Sequence, residues 1–157
     1  MSDATGGSYT LVVGLAADAT VTAGALGDHR LPAGAYAYTG SALGPGGFSR
    51  VDRHRRTARG DSETQHWHVD YLLSHPAARI DRVVRSVGVD VECAVAERLP
   101  PGPIDGFGAS DCGCGAHLAG PEALDALAER ALTAHEAAVA SSGDSDATVD
   151  VVDGSAE

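Results

Sequence analysis

A chain of 157 residues has room for one domain, one core and a tail. The formal net charge is −11, no apolar run approaches the ~20 residues that span a bilayer, and the first residues lack the basic and apolar pattern of a cleavable signal. A membrane-spanning chain and a secreted, disulfide-stapled one are therefore excluded, and a cytoplasmic location is expected.

All 11 basic residues are arginines. Acidic excess without lysine points to a halophilic cytoplasm, although a GC-rich genome biases the codons the same way. Residues 1–7 read as a flexible leader and residues 8–140 as a compact α+β domain. Ser8 to Leu15 alternates as a strand, with Tyr9, Leu11, Val13 and Leu15 on one face and Val12 adding burial on the other. Thr20 to Leu26 is a second strand candidate, ended by Gly27-Asp28. Pro32 to Gly34 turns the chain into a strand from Ala35 to Thr39, which sets Tyr36 and Tyr38 on one face. The first third thus reads as an antiparallel meander.

Phe48 to Arg59 is a helix candidate stopped by Gly60-Asp61. From Gln65 to Leu73 the pattern fits strand and helix equally; His66 and His68 flank Trp67 there, either as a hydrogen-bonded core cluster or as the wall of a cleft. Arg79 to Val87 is a strand. Asp90 can cap a short helix from Val91 to Leu99, which Pro100-Pro101 halts. Residues 100–116 form a Gly- and Pro-rich loop. Pro121 is expected to open a helix, with Leu124, Leu127, Ala128, Ala131, Leu132, Ala138 and Val139 at helical spacing. Residues 141–157 are acidic, hold no base, and read as a disordered tail.

The functional signal is densest between residues 34 and 56. Two phenols, Tyr36 and Tyr38, precede a bare turn, Gly44-Pro45-Gly46-Gly47, where a phosphate can approach the backbone. Then follow Arg50, Arg53, Arg55, Arg56 and Arg59 against the single Asp52, a basic island on an acidic protein. On a helix Arg50 and His54 share a face. This set suits an anionic substrate; the plain alternative for the arginines is a solvated helix face.

In order, Gly7-Ser8-Tyr9, Tyr38-Thr39-Gly40, Arg50 with His54, and Glu92 resemble the motifs of the GIY-YIG nuclease superfamily. Tyr36 to Gly47, His66 to Leu73, Glu92-Cys93 and Gly106 to Leu118 resemble more closely one branch of it. That branch consists of small archaeal and bacterial proteins, also found fused to endonuclease III-type DNA glycosylases. The resemblance spans about residues 7–118 and implies a small antiparallel sheet flanked by helices. The spacing between Tyr9 and Tyr38 implies an inserted strand, and the asparagine that closes the motif set in many members has no clear equivalent.

The resemblance implies a metal-dependent endonuclease that hydrolyses DNA phosphodiester bonds, with RNA open as a substrate. The fusions imply DNA repair and a repair glycosylase as partner. Such hydrolysis needs an activated water, charge relief on the phosphoryl oxygens and help for the leaving oxygen. Glu92 is the expected Mg²⁺ (or Mn²⁺) ligand, with Glu97 as its rival; Arg50 is expected to bind the phosphate. Tyr9 is expected to act as base or to orient the water, with Tyr38 and His54 in support, and all five should converge on one cleft. A phenol is a poor base at its ordinary pKa of about 10, and a nearby cation favours the phenolate. Arg53, Arg55 and Arg56 are expected to track the nucleic-acid backbone. Cys112-x-Cys114-x-x-His117 with Cys93 offers Zn²⁺ ligand types at a non-standard spacing, and a packed thiol loop is the alternative. Two other functions compete: a nucleic-acid-binding module that does not cleave, and a metal-binding interaction protein built on the cysteine loop.

Overall fold

The computed structural model of the chain describes residues 6–22, 28–42, 47, 48, 51, 53, 54, 56, 72, 73, 75–99, 118–143 and 146–153. These residues form an α+β fold. Its strands are β1 (Gly7–Leu15), β2 (Ala19–Thr22), β3 (Asp28–Leu31), β4 (Gly34–Ser41), β5 (Ala78–Val87), β6 (Leu118–Glu122) and β7 (Thr148–Asp153). Its helices are α1 (Glu92–Glu97) and α2 (Leu124–Ser142). The main sheet is antiparallel, in the order β6-β4-β1-β5-β7. Among the described residues no helix is long and apolar enough to cross a membrane.

β1 is the central strand, and both of its faces are covered. Tyr9, Leu11, Val13 and Leu15 belong to one core with Tyr36, Tyr38, Phe48, Val51, Leu72 and Leu73. Val12 belongs to another, with Val84, Ala128 and Ala131 under α2. Its unbroken apolar run follows from this double burial, because a half-exposed strand would alternate. The helix α2 presents Leu127, Ala128, Ala131, Ala134, His135 and Ala138 to the sheet. Five of those six are Leu or Ala, so the helix backbone lies close to the strands. Gly143 closes it at φ +77°, a left-handed cap that glycine adopts without strain.

Several expectations are corrected. The first third is not one meander: β4 returns to pair with β1, while β2 and β3 form a separate two-stranded sheet. Two short strands fill the Tyr9–Tyr38 interval, and residues 23–26 of the expected second strand lie outside the described residues. Asp18 ties this insertion to the chain by accepting from Ala33 N–H at 2.8 Å and Arg30 Nη2 at 3.1 Å. Pro121 does not start α2; it lies in the edge strand β6, where a missing N–H costs no ladder bond.

The tail expected to be disordered from residue 141 instead completes α2 with Ser141 and Ser142 and then supplies β7. The physical reason is pairing in register: Val152 opposes Val83 and packs on the first core, and Asp150 opposes Arg85. Charge neutralisation and β-branched packing outweigh the acidic composition.

One polar cluster lies inside the sheet–α2 interface. His135 is fully buried; its Nδ1 meets Ser86 Oγ at 2.6 Å and its Nε2 meets Thr10 Oγ1 at 2.8 Å. Thr10 Oγ1 in turn shares a 2.9 Å bond with Thr39 Oγ1. Rotatable hydroxyls satisfy a neutral imidazole in either tautomer. Burial penalises the cation and pushes the His135 pKa down to about 4.

As pH falls below about 6.5, the unfolded chain protonates this imidazole and the folded chain does not. The stability it contributes is complete above about pH 6.5 and is lost toward pH 4, on the order of 3 kcal/mol. Denaturant midpoints should therefore drop more steeply for the wild type than for His135→Gln across that window. Equal pH slopes for the two proteins would contradict the assignment.

Candidate functional site

The site forms around Tyr9, two residues from the start of β1. The Tyr9 hydroxyl and His54 Nε2 share a 2.8 Å hydrogen bond, and each residue is only 1% exposed. The two rings lie 5.6 Å apart at 49°. Tyr38 meets the same imidazole edge-on, at 6.2 Å and 74°. Val51, Arg53, His54 and Arg56 are helical, as the periodicity predicts, and that helical segment delivers His54 onto the sheet. The two motif tyrosines and the motif histidine are thus brought together.

Register explains why the phenol fits. Across the sheet Gly40 opposes Tyr9 on β4, Arg85 opposes it on β5, and Asp150 opposes Arg85 on β7. Directly opposed residues share a face, so Gly40, Tyr9, Arg85 and Asp150 form one row. A Cβ on Gly40 would stand 2.6 Å from the Tyr9 hydroxyl oxygen and 2.7 Å from its ring carbon Cζ. The glycine of Tyr38-Thr39-Gly40 is required by this close approach.

Arg85 is the residue that sequence reasoning missed. Its Nε donates to Asp150 Oδ1 at 2.8 Å and its Nη2 to Asp150 Oδ2 at 2.7 Å. Its Cζ lies 4.8 Å from the centre of the Phe48 ring, within cation–π range.

Tyr36, the other phenol of the motif strand, has a structural role. It donates to Pro32 O at 2.6 Å, and burial, with the nearby Asp18 charge, pushes its pKa up to about 12.

Glu92 opens α1 and is half-buried. The buried side chains around it, Val91, Val95 and Leu99, pack with Ala35, Ala37 and α2, on the face opposite Tyr9. Yet α1 begins at Tyr9's end of the sheet. Ser8 Oγ donates to Val89 O at 3.2 Å and accepts from Val91 N–H at 2.8 Å. Asp90, expected as the cap, precedes the N-cap residue Val91, and its carboxylate accepts a longer 3.4 Å bond from Glu92 N–H. Glu92 therefore shares an end of the sheet with Tyr9, while its helix packs on the core of the opposite face.

Glu97 is exposed on α1, Arg53 is half-buried and Arg56 is exposed. Cys93 is half-buried on α1. Arg50, Arg55, His66, His68, Cys112, Cys114 and His117 lie outside the described residues. Among the described residues no group of three or more His, Cys, Asp or Glu could hold a metal ion.

The space at Gly40 gives a direct test of the packing. Gly40→Ala should destabilise the fold by about 1–3 kcal/mol, because the new methyl displaces the Tyr9 phenol from His54. Chemical denaturation measures this; a variant as stable as the wild type would mean that the phenol does not occupy the space in solution.

No curated protein and no solved structure matches the chain. A family model, described as a domain of unknown function, DUF123, matches residues 8–140. That span includes Tyr9, Tyr38, His54, Arg85 and Glu92 and stops before β7. The chain belongs to the DUF123 family.

Proposed function

We propose that the protein is a metal-dependent endonuclease of the GIY-YIG type, acting on DNA phosphodiester bonds. The observation that carries this reading is the Tyr9–His54 hydrogen bond with Tyr38 against the same imidazole. Residues 45 and 16 positions apart in sequence, picked out by motif order alone, form one contact set.

In this reading Tyr9 orients the attacking water and accepts its proton while passing its own to His54 Nε2. The 2.8 Å bond supplies that path, and a neutral imidazole acceptor makes the phenol oxygen a better base than an isolated phenol. Tyr38 holds the imidazole plane. Arg50 takes the phosphoryl oxygens, and Arg53, Arg55 and Arg56 follow the backbone. Glu92 would hold Mg²⁺ or Mn²⁺. One carboxylate with waters and substrate oxygens is an ordinary Mg²⁺ shell, so the half-buried Glu92 fits without a wider cluster. When bound, the ion neutralises charge on the phosphoryl and leaving oxygens. A repair role and a glycosylase partner belong to this reading.

One observation favours a second reading. Tyr9 and His54 are each 1% exposed, a burial typical of a structural pair. On that ground the fold would bind nucleic acid through its arginines without cutting it.

Cleavage separates the two. Linear and branched DNA should be nicked in Mg²⁺ or Mn²⁺ across a KCl series. Tyr9→Phe should lower the rate by about 100-fold or more, and Glu92→Gln should abolish it with the fold intact. Binding without cleavage by the wild type would select the second reading. Full activity in Glu92→Gln would remove the metal role from Glu92.

A further inference from the structure

We propose that Ser8 is a positioning residue for Glu92: it holds the start of α1 on β1 and so sets the carboxylate relative to Tyr9, the next residue of the strand. This role rests on the nuclease reading, in which Glu92 holds the ion.

Ser8 and Tyr9 point to opposite faces of the sheet, as neighbours on a strand do. Ser8 opposes Ser41 on β4 and Ser86 on β5, so three serines form the row next to that of Tyr9. The register of β5 against β1 shifts farther along, between Val12 and Val13, where Asp81 is the extra residue of a β-bulge. The ladder from Gly7 to Val12 is unbroken. Within the row Ser86 receives His135 of α2, and Ser8 receives the chain leading into α1. Ser8 is fully buried, so its hydroxyl must find partners inside the protein. It finds them in the four-residue connection between β5 and α1, residues 88–91.

That connection is gripped at three points by the start of β1. Gly88 turns at φ +84°, a conformation that favours glycine, and its N–H donates to Gly6 O at 2.8 Å. Ser8 Oγ then donates to Val89 O at 3.2 Å and accepts from Val91 N–H at 2.8 Å. The helix depends on this grip. α1 has six residues, too few to be stable alone. Its N-cap residue, Val91, has no capping side chain, and the Asp90 carboxylate meets Glu92 N–H only at 3.4 Å. Packing of Val91, Val95 and Leu99 is apolar and non-directional. The Ser8 bonds are directional, and they fix the residue that precedes Glu92. Without the hydroxyl, Val89 C=O and Val91 N–H lose their partner and the connection shifts, carrying Glu92 with it. Tyr9 stays on His54, because its side chain lies on the other face. One strand residue thus holds the carboxylate while the next presents the phenol.

The test uses the full chain, a short fluorescein-labelled DNA duplex and Ca²⁺ as the probe ion, since it takes the same oxygen ligands as Mg²⁺. Anisotropy titrations in Ca²⁺ and in EDTA give the gain in DNA affinity that the ion supplies. Ser8→Ala should cut that gain by about tenfold, the low end for groups that act on a metal through its ligand. Its affinity in EDTA should match the wild type. In nicking assays the Mg²⁺ concentration for half-maximal rate should rise by a similar factor, with the maximal rate largely recovered, because excess ion draws Glu92 back into place. The Val91 amide should exchange faster with solvent deuterium. Ser8→Ala should remove nothing further in the Glu92→Gln background.

A purely structural serine would lower the denaturant midpoint and leave the metal gain intact, which would overturn the positioning role. Equal losses in Ca²⁺ and EDTA would overturn it as well, as damage to the whole fold. If Ser8→Ala does not fold, Ser8→Cys decides, because a thiol is a weaker donor and acceptor. A wild-type metal gain in that variant overturns the proposal. A wild-type gain in Glu92→Gln overturns it too, while cleavage by the wild-type chain keeps the nuclease reading. Absence of cleavage by the wild type overturns the proposed function, and with it this role.

Discussion

The hydrogen bond between Tyr9 and His54 is the contact on which the rest of the site depends. It buries two polar rings where the helical segment meets the sheet, and a buried polar atom left without a partner costs about 1–3 kcal/mol. Each ring therefore fixes the other. Gly40 leaves room for the phenol, and Tyr38 closes on the imidazole edge. Along the same row, Arg85 and Asp150 continue from β5 to β7. Four strands thus contribute in sequence a space, a phenol, a cation and a carboxylate. The pleat keeps them on one face, and no loop is needed to align them.

The other face of the same strands is held differently. There Thr10, Thr39 and Ser86 surround the neutral His135 of α2. Ser8 pins the start of α1, through the residue next to Tyr9 in the chain. A shift of β1 by one residue would exchange the two faces and destroy both clusters. The register that places Tyr9 under His54 is therefore also the register that satisfies His135. Stability and site geometry are coupled through β1, and the α1 end that carries Glu92 is coupled through Ser8.

How much of this was legible differs by element. The facing of Tyr9, Leu11, Val13 and Leu15 follows from alternation and holds. The helical spacing near His54 and the β5 strand follow from local pattern and hold as well. The partners of Arg85 were not legible, because the bulge at Asp81 resets the alternation along β5. β7 was hidden by its acidic composition: Asp150 reads as a solubilising charge until Arg85 is known to face it. Pro121 reads as a helix start, and only sheet topology shows that it sits on an edge. His135 stands four residues after Ala131 on the apolar stripe, a placement that marks it for burial but does not name the hydroxyls that receive it. Of the five residues that motif order expects in one cleft, Tyr9, Tyr38 and His54 meet, the helix of Glu92 packs on the opposite face, and Arg50 lies outside the described residues.

The central claim is that Tyr9 and Tyr38, with His54, face a nucleic-acid backbone, whereas Tyr36 serves the fold. Tyrosine-selective ¹³Cζ labelling reports each phenol separately. On titration with a DNA duplex in EDTA, the Tyr9 and Tyr38 resonances should move together, with the same apparent affinity, while Tyr36 stays fixed on Pro32. Unmoved Tyr9 and Tyr38 signals at saturating DNA would contradict the account.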